Sequence, residues 1–192
     1  MALVVLAGVS AFAVHGCGGA APGSPPNGGG AGATPAPAPT PAPSGVAFEG
    51  SADAPYSFRH VVEWTVAPGE ARPDTKTRDT VVSSPNGSRV EIAIVRDARP
   101  PKALLGQIVQ GIAQNGYRLG GLGDVRELGA FQGTGQQFAA NNANGTARLQ
   151  VLVVEISETE RLVLTTWMVD ADSKSGNRAI NLITNSLKLN SR

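Results

Sequence analysis

The chain has one cysteine, two histidines and only 5% aromatic residues among its 192. A single cysteine excludes an internal disulfide, so cysteine usage does not report the redox compartment. Beyond the first 17 residues only one histidine remains, His60, and no cysteine, which excludes a Cys/His zinc site there. Charge of one sign is missing as well. Sixteen Lys and Arg offset fifteen Asp and Glu for a net charge of +1, and they are scattered along the chain. No basic stripe follows a phosphate backbone and few aromatics offer a stacking platform, which argues against a nucleic-acid partner. No Gly-x-Ser-x-Gly elbow presents a nucleophilic serine. A Ser-His-Asp triad would have to use His60, which reads as a partly exposed residue in the middle of a strand.

No apolar run is long enough to span a bilayer, which takes roughly 20 residues. The nearest is Ala2–Val14. It fits the hydrophobic core of a secretory signal, about 7–15 residues long. No Lys or Arg precedes it, which a start codon assigned too far downstream would explain. Small residues follow, then His15-Gly16-Cys17. Val14 three residues before Cys17 and Gly16 just before it resemble the bacterial lipobox. That resemblance implies cleavage before Cys17, a diacylglycerol on its thiol and a third acyl chain on the new amino terminus. Residues 1–17 are then a lipoprotein signal peptide, with Cys17 as the lipidation site. The residue after Cys17 is Gly18 rather than Asp, so in a diderm cell the resemblance implies sorting to the outer membrane, facing the periplasm.

Residues 18–46 read as a disordered tether. Gly18 to Gly45 contains only Gly, Ala, Pro, Ser, Thr and Asn, including the Ala-Pro run Thr34–Pro43. Nothing in it offsets the entropy of ordering. Its glycine part should be flexible and its Ala-Pro part a semi-rigid polyproline II spacer of roughly 3 Å per residue.

Residues 47–192 are long enough for one domain with a single core. Ser57–Val66 has strand composition and is expected to stop at Pro68-Gly69, followed by a polar loop over Asp74–Arg78. Asp79–Ser83 and Arg89–Arg96 form a hairpin around Pro85-Asn86-Gly87, with Val90, Ile92 and Ile94 alternating. Pro100-Pro101 open a helix whose apolar face is Leu104, Ile108 and Ile112, ended by Gly116. Gly106 and Gly111 within it suggest close packing on a sheet. Gly120-Gly121-Leu122-Gly123 lacks the Lys-Ser/Thr of a phosphate loop and follows a helix, so it reads as a flexible connection. Weaker strands follow at Val125–Phe131 and Gly135–Ala140. Ala147–Ile156 and Leu162–Val169 are apolar at odd and even positions, as strands covered on both faces are. Asp172 or Ser173 caps a final helix with the stripe Ala179, Ile180, Ile183 and Leu187. The fold class expected is α+β: a three-layer α/β/α sandwich with a mainly antiparallel sheet and a helix on each face.

The element order, the Gly133–Val169 meander and the closing segment Asn185-Ser186-Leu187-Lys188-Leu189 resemble the PsbP-like family over roughly Tyr56 to Leu189. That fold is also seen in a Ran-binding import factor and in LpqN-type and DcrB-type envelope lipoproteins. The resemblance implies a noncatalytic accessory module that docks to other proteins.

Side chains for chemistry are few. Glu155, Glu158, Glu160, Asp170 and Asp172 read as solvated turn charges, and Asp170-x-Asp172 lacks the later ligands of a calcium loop. The sequons at Asn86 and Asn144 read as turns. The expectation is a lipid-anchored cell-envelope protein with no catalytic residues, cofactor or metal, held to the membrane through Cys17 and binding an envelope protein. The alternative is a small-ligand or lipid-binding envelope protein, which a continuous apolar pocket would favour.

Overall fold

A computed structural model describes residues 45–142 and 145–190. The readings that concern the signal peptide, Cys17, the tether up to residue 44 and the Asn144 sequon lie outside the described residues.

The described chain forms ten strands and two helices, an α+β fold built on mainly antiparallel sheet. In order these are β1 (Val46–Phe48), β2 (Tyr56–His60), β3 (Thr65–Arg72), β4 (Thr77–Ser83), β5 (Arg89–Arg96), α1 (Pro101–Gln114), β6 (Arg118–Leu128), β7 (Phe131–Asn142), β8 (Gly145–Glu155), β9 (Glu160–Val169), α2 (Ser173–Ser186) and β10 (Lys188–Leu189). A small sheet has the order β1-β2-β10, and a seven-stranded sheet the order β3-β4-β5-β9-β8-β7-β6. Helix α1 starts at Pro101, where the missing N–H has no partner to lose. Gly116 follows it with φ +87°, a conformation that favours glycine.

Strands β8 and β9 are apolar at successive positions because the residues fall into two clusters. Leu149, Val151 and Val153 pack with Leu104, Leu105, Ile108 and Ile112 of α1. Leu152, Leu162 and Leu164 pack with Ala179, Ile180 and Ile183 of α2, and with Tyr56, Phe58 and Trp64. At the end of the α1 cluster, Trp167 carries the Arg89 guanidinium 4.7 Å above its ring, with Tyr117 4.9 Å away. The Tyr56 hydroxyl ties the two sheets together. It donates to Thr80 Oγ1 at 2.8 Å, and burial pushes its pKa up to about 12.

Four expectations are corrected. Ser57–Val66 is not one strand: the chain leaves β2 after His60 and turns over Val61–Trp64 into the large sheet. An alternating apolar run carries no mark of the turn, which is fixed by burial of Trp64 in the core. Pro68-Gly69 does not stop a strand but lies within β3. This is the sheet's edge, where proline is tolerated, and the register shifts between Pro68 and Ala71. Gly120–Gly123 is not a flexible connection. It belongs to β6, with Gly120 opposite Ala139 and Gly123 opposite Gln137, and the turn comes at Gly129-Ala130 instead. Gly106 does not mark close packing: a Cβ there would meet nothing within 4 Å.

Candidate functional site

The residues picked out from sequence do not converge on one place. His60 is the last residue of β2 and is buried, rather than partly exposed in mid-strand; its Nδ1–H donates to the Val61 carbonyl at 2.8 Å. Glu155 lies 3.8 Å from Arg161. Arg161 is itself buried and donates to the carbonyls of Ser157, Glu160 and Arg99, which closes the β8–β9 turn.

Asp172 is not a solvated turn charge. It is 4% exposed and occupies the position before α2 without capping the helix through its side chain. Its carboxylate instead accepts from the Ser84 hydroxyl and from Asn86 Nδ2 at 2.7 Å, in the turn between β4 and β5. Burial raises its pKa, but the hydrogen bonds from Ser84, Asn86 and Ser88 outweigh it and hold the carboxyl below its ordinary value. Asn86 is therefore in a turn, as expected, and its amide locks that turn to α2. All of the carboxylate's partners come from the fold itself, which marks this cluster as a structural latch.

A cavity of about 340 Å³ lies beside α2. Its wall is Asn177, Asn181 and Asn185, one per helical turn at four-residue spacing. Its floor is polar sheet: Gln150 of β8 lies opposite Thr166 of β9, whose hydroxyl donates to Gln150 Oε1 at 3.3 Å, and Arg148 is next along β8. The far side is the β6–β7 turn. There Gly129, at φ +62°, lies so close to α2 that a Cβ would fall 2.2 Å from the Thr184 carbonyl carbon. The Ala130 N–H donates to that same carbonyl. Ser173 and Asn177 are joined by a 2.7 Å bond from Asn177 Nδ2 to the Ser173 carbonyl. Among the described residues, Asn181, Asn185 and Arg148 have no side-chain hydrogen bond or ion pair. Met168 and Leu128 add a small apolar strip. The groove thus holds carboxamides, a hydroxyl, one cation and the anion Glu127, a set suited to hydrogen-bonded recognition.

A second cavity, of about 310 Å³, lies between Phe48, Ala54, Pro68 and Thr80. The Asp53–Arg78 ion pair at 3.7 Å borders it. The Ser51 hydroxyl bonded to Asp53 holds that carboxyl below its ordinary value. Both charged side chains are about half exposed, and such pairs contribute little.

Sequence reading missed the asparagine wall. Its spacing was visible, but an exposed polar helix face looks the same until the sheet residues facing it are known.

No known protein family profile and no curated protein sequence matches the chain. Solved structures do. The cyanobacterial PsbP of Synechocystis superposes with a TM-score of 0.51 at 9% identity, covering 77% of this chain and 94% of that one. LpqN of Mycobacterium tuberculosis, described as involved in cell envelope biogenesis, gives 0.44 at 18% identity, over 77% and 86%. A Ran-binding protein of Saccharomyces cerevisiae gives 0.45 at 10% identity, over 77% and 96%. The described domain has a PsbP-like fold.

Proposed function

We propose that this chain is a lipid-anchored accessory protein of the cell envelope whose domain is a noncatalytic binding module. The amino-terminal sequence supports the anchor. Cys17 carries the lipid, residues 18–44 hold the domain away from the membrane, and the domain, whose first strand already includes Val46, binds an envelope protein. In a diderm cell the anchor is in the outer membrane and the domain faces the periplasm. In the domain the helices cover opposite faces of the large sheet, giving three layers. The alternation along β8 supports this, since Val151 and Val153 join the α1 cluster while Leu152 joins that of α2.

The observation that carries the binding reading is the 340 Å³ groove with its asparagine wall and polar sheet floor. Its lining of amides favours a protein or other polar partner over an acyl chain, which needs a continuous apolar pocket.

Two experiments test the two halves. Cys17→Ser should move the protein from the membrane fraction to the soluble periplasmic or secreted fraction; unchanged partition sinks the anchor. Asn181→Trp, which fills the groove from an exposed position, should abolish in-cell cross-links to envelope proteins and leave the melting temperature unchanged. Retained cross-links would place binding elsewhere on the domain.

A further inference from the structure

We infer that Asn86-Gly87, in the β4–β5 turn, is a self-modification site: deamidation there, held back while Asp172 grips the Asn86 amide, irreversibly releases the turn from the start of α2.

The residues suit the chemistry. In an Asn-Gly pair the following backbone nitrogen reaches the side-chain amide freely, because glycine has no Cβ to crowd the approach. Asn86 and Gly87 are both exposed. Gly87 has φ +99°, and a Cβ added to it would meet nothing within 4 Å. Water therefore reaches the pair. In the reaction the Gly87 amide nitrogen gives up its proton and bonds to Asn86 Cγ. The Cγ–Nδ2 bond breaks, and ammonia leaves with that proton. Water then opens the resulting succinimide at either carbonyl, giving an aspartyl or an isoaspartyl residue. No electrons are gained or lost.

The fold occupies both reacting groups. The Gly87 N–H donates to the Ser84 carbonyl at 3.3 Å. Asn86 Nδ2 donates to Asp172 Oδ1 at 2.7 Å, and because a carboxylate only accepts, the orientation of the amide is fixed. Ring closure requires the amide to leave Asp172 and turn toward the Gly87 nitrogen. The product reverses the sign of the contact. An oxygen stands where Nδ2 stood, so one carboxylate faces another at hydrogen-bond distance, and the two cannot both stay ionised there. The isoaspartyl form also adds a backbone atom to a turn closed by the Ser84 N–H on the Ser88 carbonyl at 2.8 Å. The turn that Asp172 held is then pushed away from α2, and nothing in water restores the amide.

The test is ageing of the full chain carrying Cys17→Ser at mildly alkaline pH, with deamidation at each asparagine read by peptide-mapping mass spectrometry. Asn115-Gly116, the same dipeptide after α1, is the internal reference; its Nδ2 donates to the Gly111 carbonyl. Asp172→Ala should speed conversion at Asn86 at least about tenfold, since losing a hydrogen bond to a charged group raises the open population by that much. Asp172→Asn, which keeps the shape but not the charge, should speed it by less. Conversion at Asn115 should not change. Ile108→Ala, in the α1 cluster, separates a local guard from global unfolding. At an equal or greater loss of melting temperature it should speed Asn86 less than Asp172→Ala does. The release is read with Asn86→Asp, which should lower the melting temperature more than Asn86→Ala, because it adds a repulsion where the other only loses a bond. No conversion at Asn86 in Asp172→Ala, a rate there unmoved by both Asp172 changes, or equal acceleration by Ile108→Ala overturns the inference. So does an Asn86→Asp chain that melts with or above Asn86→Ala.

Discussion

Helices α1 and α2 are the same length, 14 residues each, yet they are held in different ways. Helix α1 lies on β7 and β8 by its apolar stripe; like α2 it has no side-chain cap at its start and no acidic residue in its first turn. Helix α2 has a similar stripe and three further attachments. Asp172 ties its start to the β4–β5 turn, Thr184 receives the β6–β7 turn, and Ser186 Oγ accepts from the Arg59 N–H at 2.8 Å. Helix α2 also borders the groove. A helix that only closes a core needs its stripe and little else. On the binding-module proposal, α2 must in addition be fixed along its axis, because a shift of one ångström would misplace all three asparagines together.

The largest expected effect tests whether the two helices have separate cores. Ile108 and Ile183 are 8% and 0% exposed. Truncating either to Ala removes transfer energy and leaves a cavity, a loss of about 2–5 kcal/mol. The clusters differ, so the double variant Ile108→Ala/Ile183→Ala should be additive within about 0.5 kcal/mol in urea denaturation. A large coupling energy would mean that both helices share one face of the sheet.

Asp172 comes next and tests the attachment that α1 lacks. Asp172→Asn keeps the shape but removes the charge that Ser84 and Asn86 bond to, at an expected cost of about 1.5–3 kcal/mol at neutral pH. The folded-state pKa is below the ordinary value. The contribution is therefore fully present above about pH 4, the unfolded value, and is lost as pH falls through the lower folded value. The melting-temperature gap between wild type and Asp172→Asn should be flat from neutral down to about pH 5 and close under acid. A gap independent of pH would show that shape rather than charge holds the turn.

The same contrast separates what could be read from sequence. Helix α1, the β4–β5 hairpin and the central strands β8 and β9 follow from periodicity and turn residues, since Ile108, Asn86-Gly87 and Val151–Val154 report local rules. Strand β6 does not. Its glycines carry no strand signal, and only pairing with the full length of β7 makes them one. Asp172 read as a cap because sequence sees its neighbour Ser173 and not Ser84, which lies 88 positions away. The groove was invisible for the same reason. Asn177, Asn181 and Asn185 are a solvated face until the register of β8 against β9 brings Gln150 and Thr166 beneath them.

The smallest effect expected is also the most direct contrast between the helices, a glycine to alanine change in each. Alanine in place of glycine within a helix stabilises by up to about 1 kcal/mol, because the unfolded chain loses freedom and the helix gains a better former. That gain survives only where the new methyl has room. On α1, Gly106 is exposed and its added Cβ would meet nothing within 4 Å. Gly106→Ala should therefore raise stability by about 0.5–1 kcal/mol. On α2, Gly176 is buried, and its Cβ would fall 3.0 Å from the Asp172 Cβ and 3.7 Å from Met168. Asp172 cannot give way without loosening its bonds to Ser84 and Asn86. Gly176→Ala should then lose stability despite the better propensity, and the loss should shrink when Asp172→Asn is already present. Paired thermal melts of the two single variants and the Gly176→Ala/Asp172→Asn double read this directly. Stabilisation at both glycines would mean that the Asp172 latch is soft and that α2 is held by its stripe and by its contacts at Thr184 and Ser186.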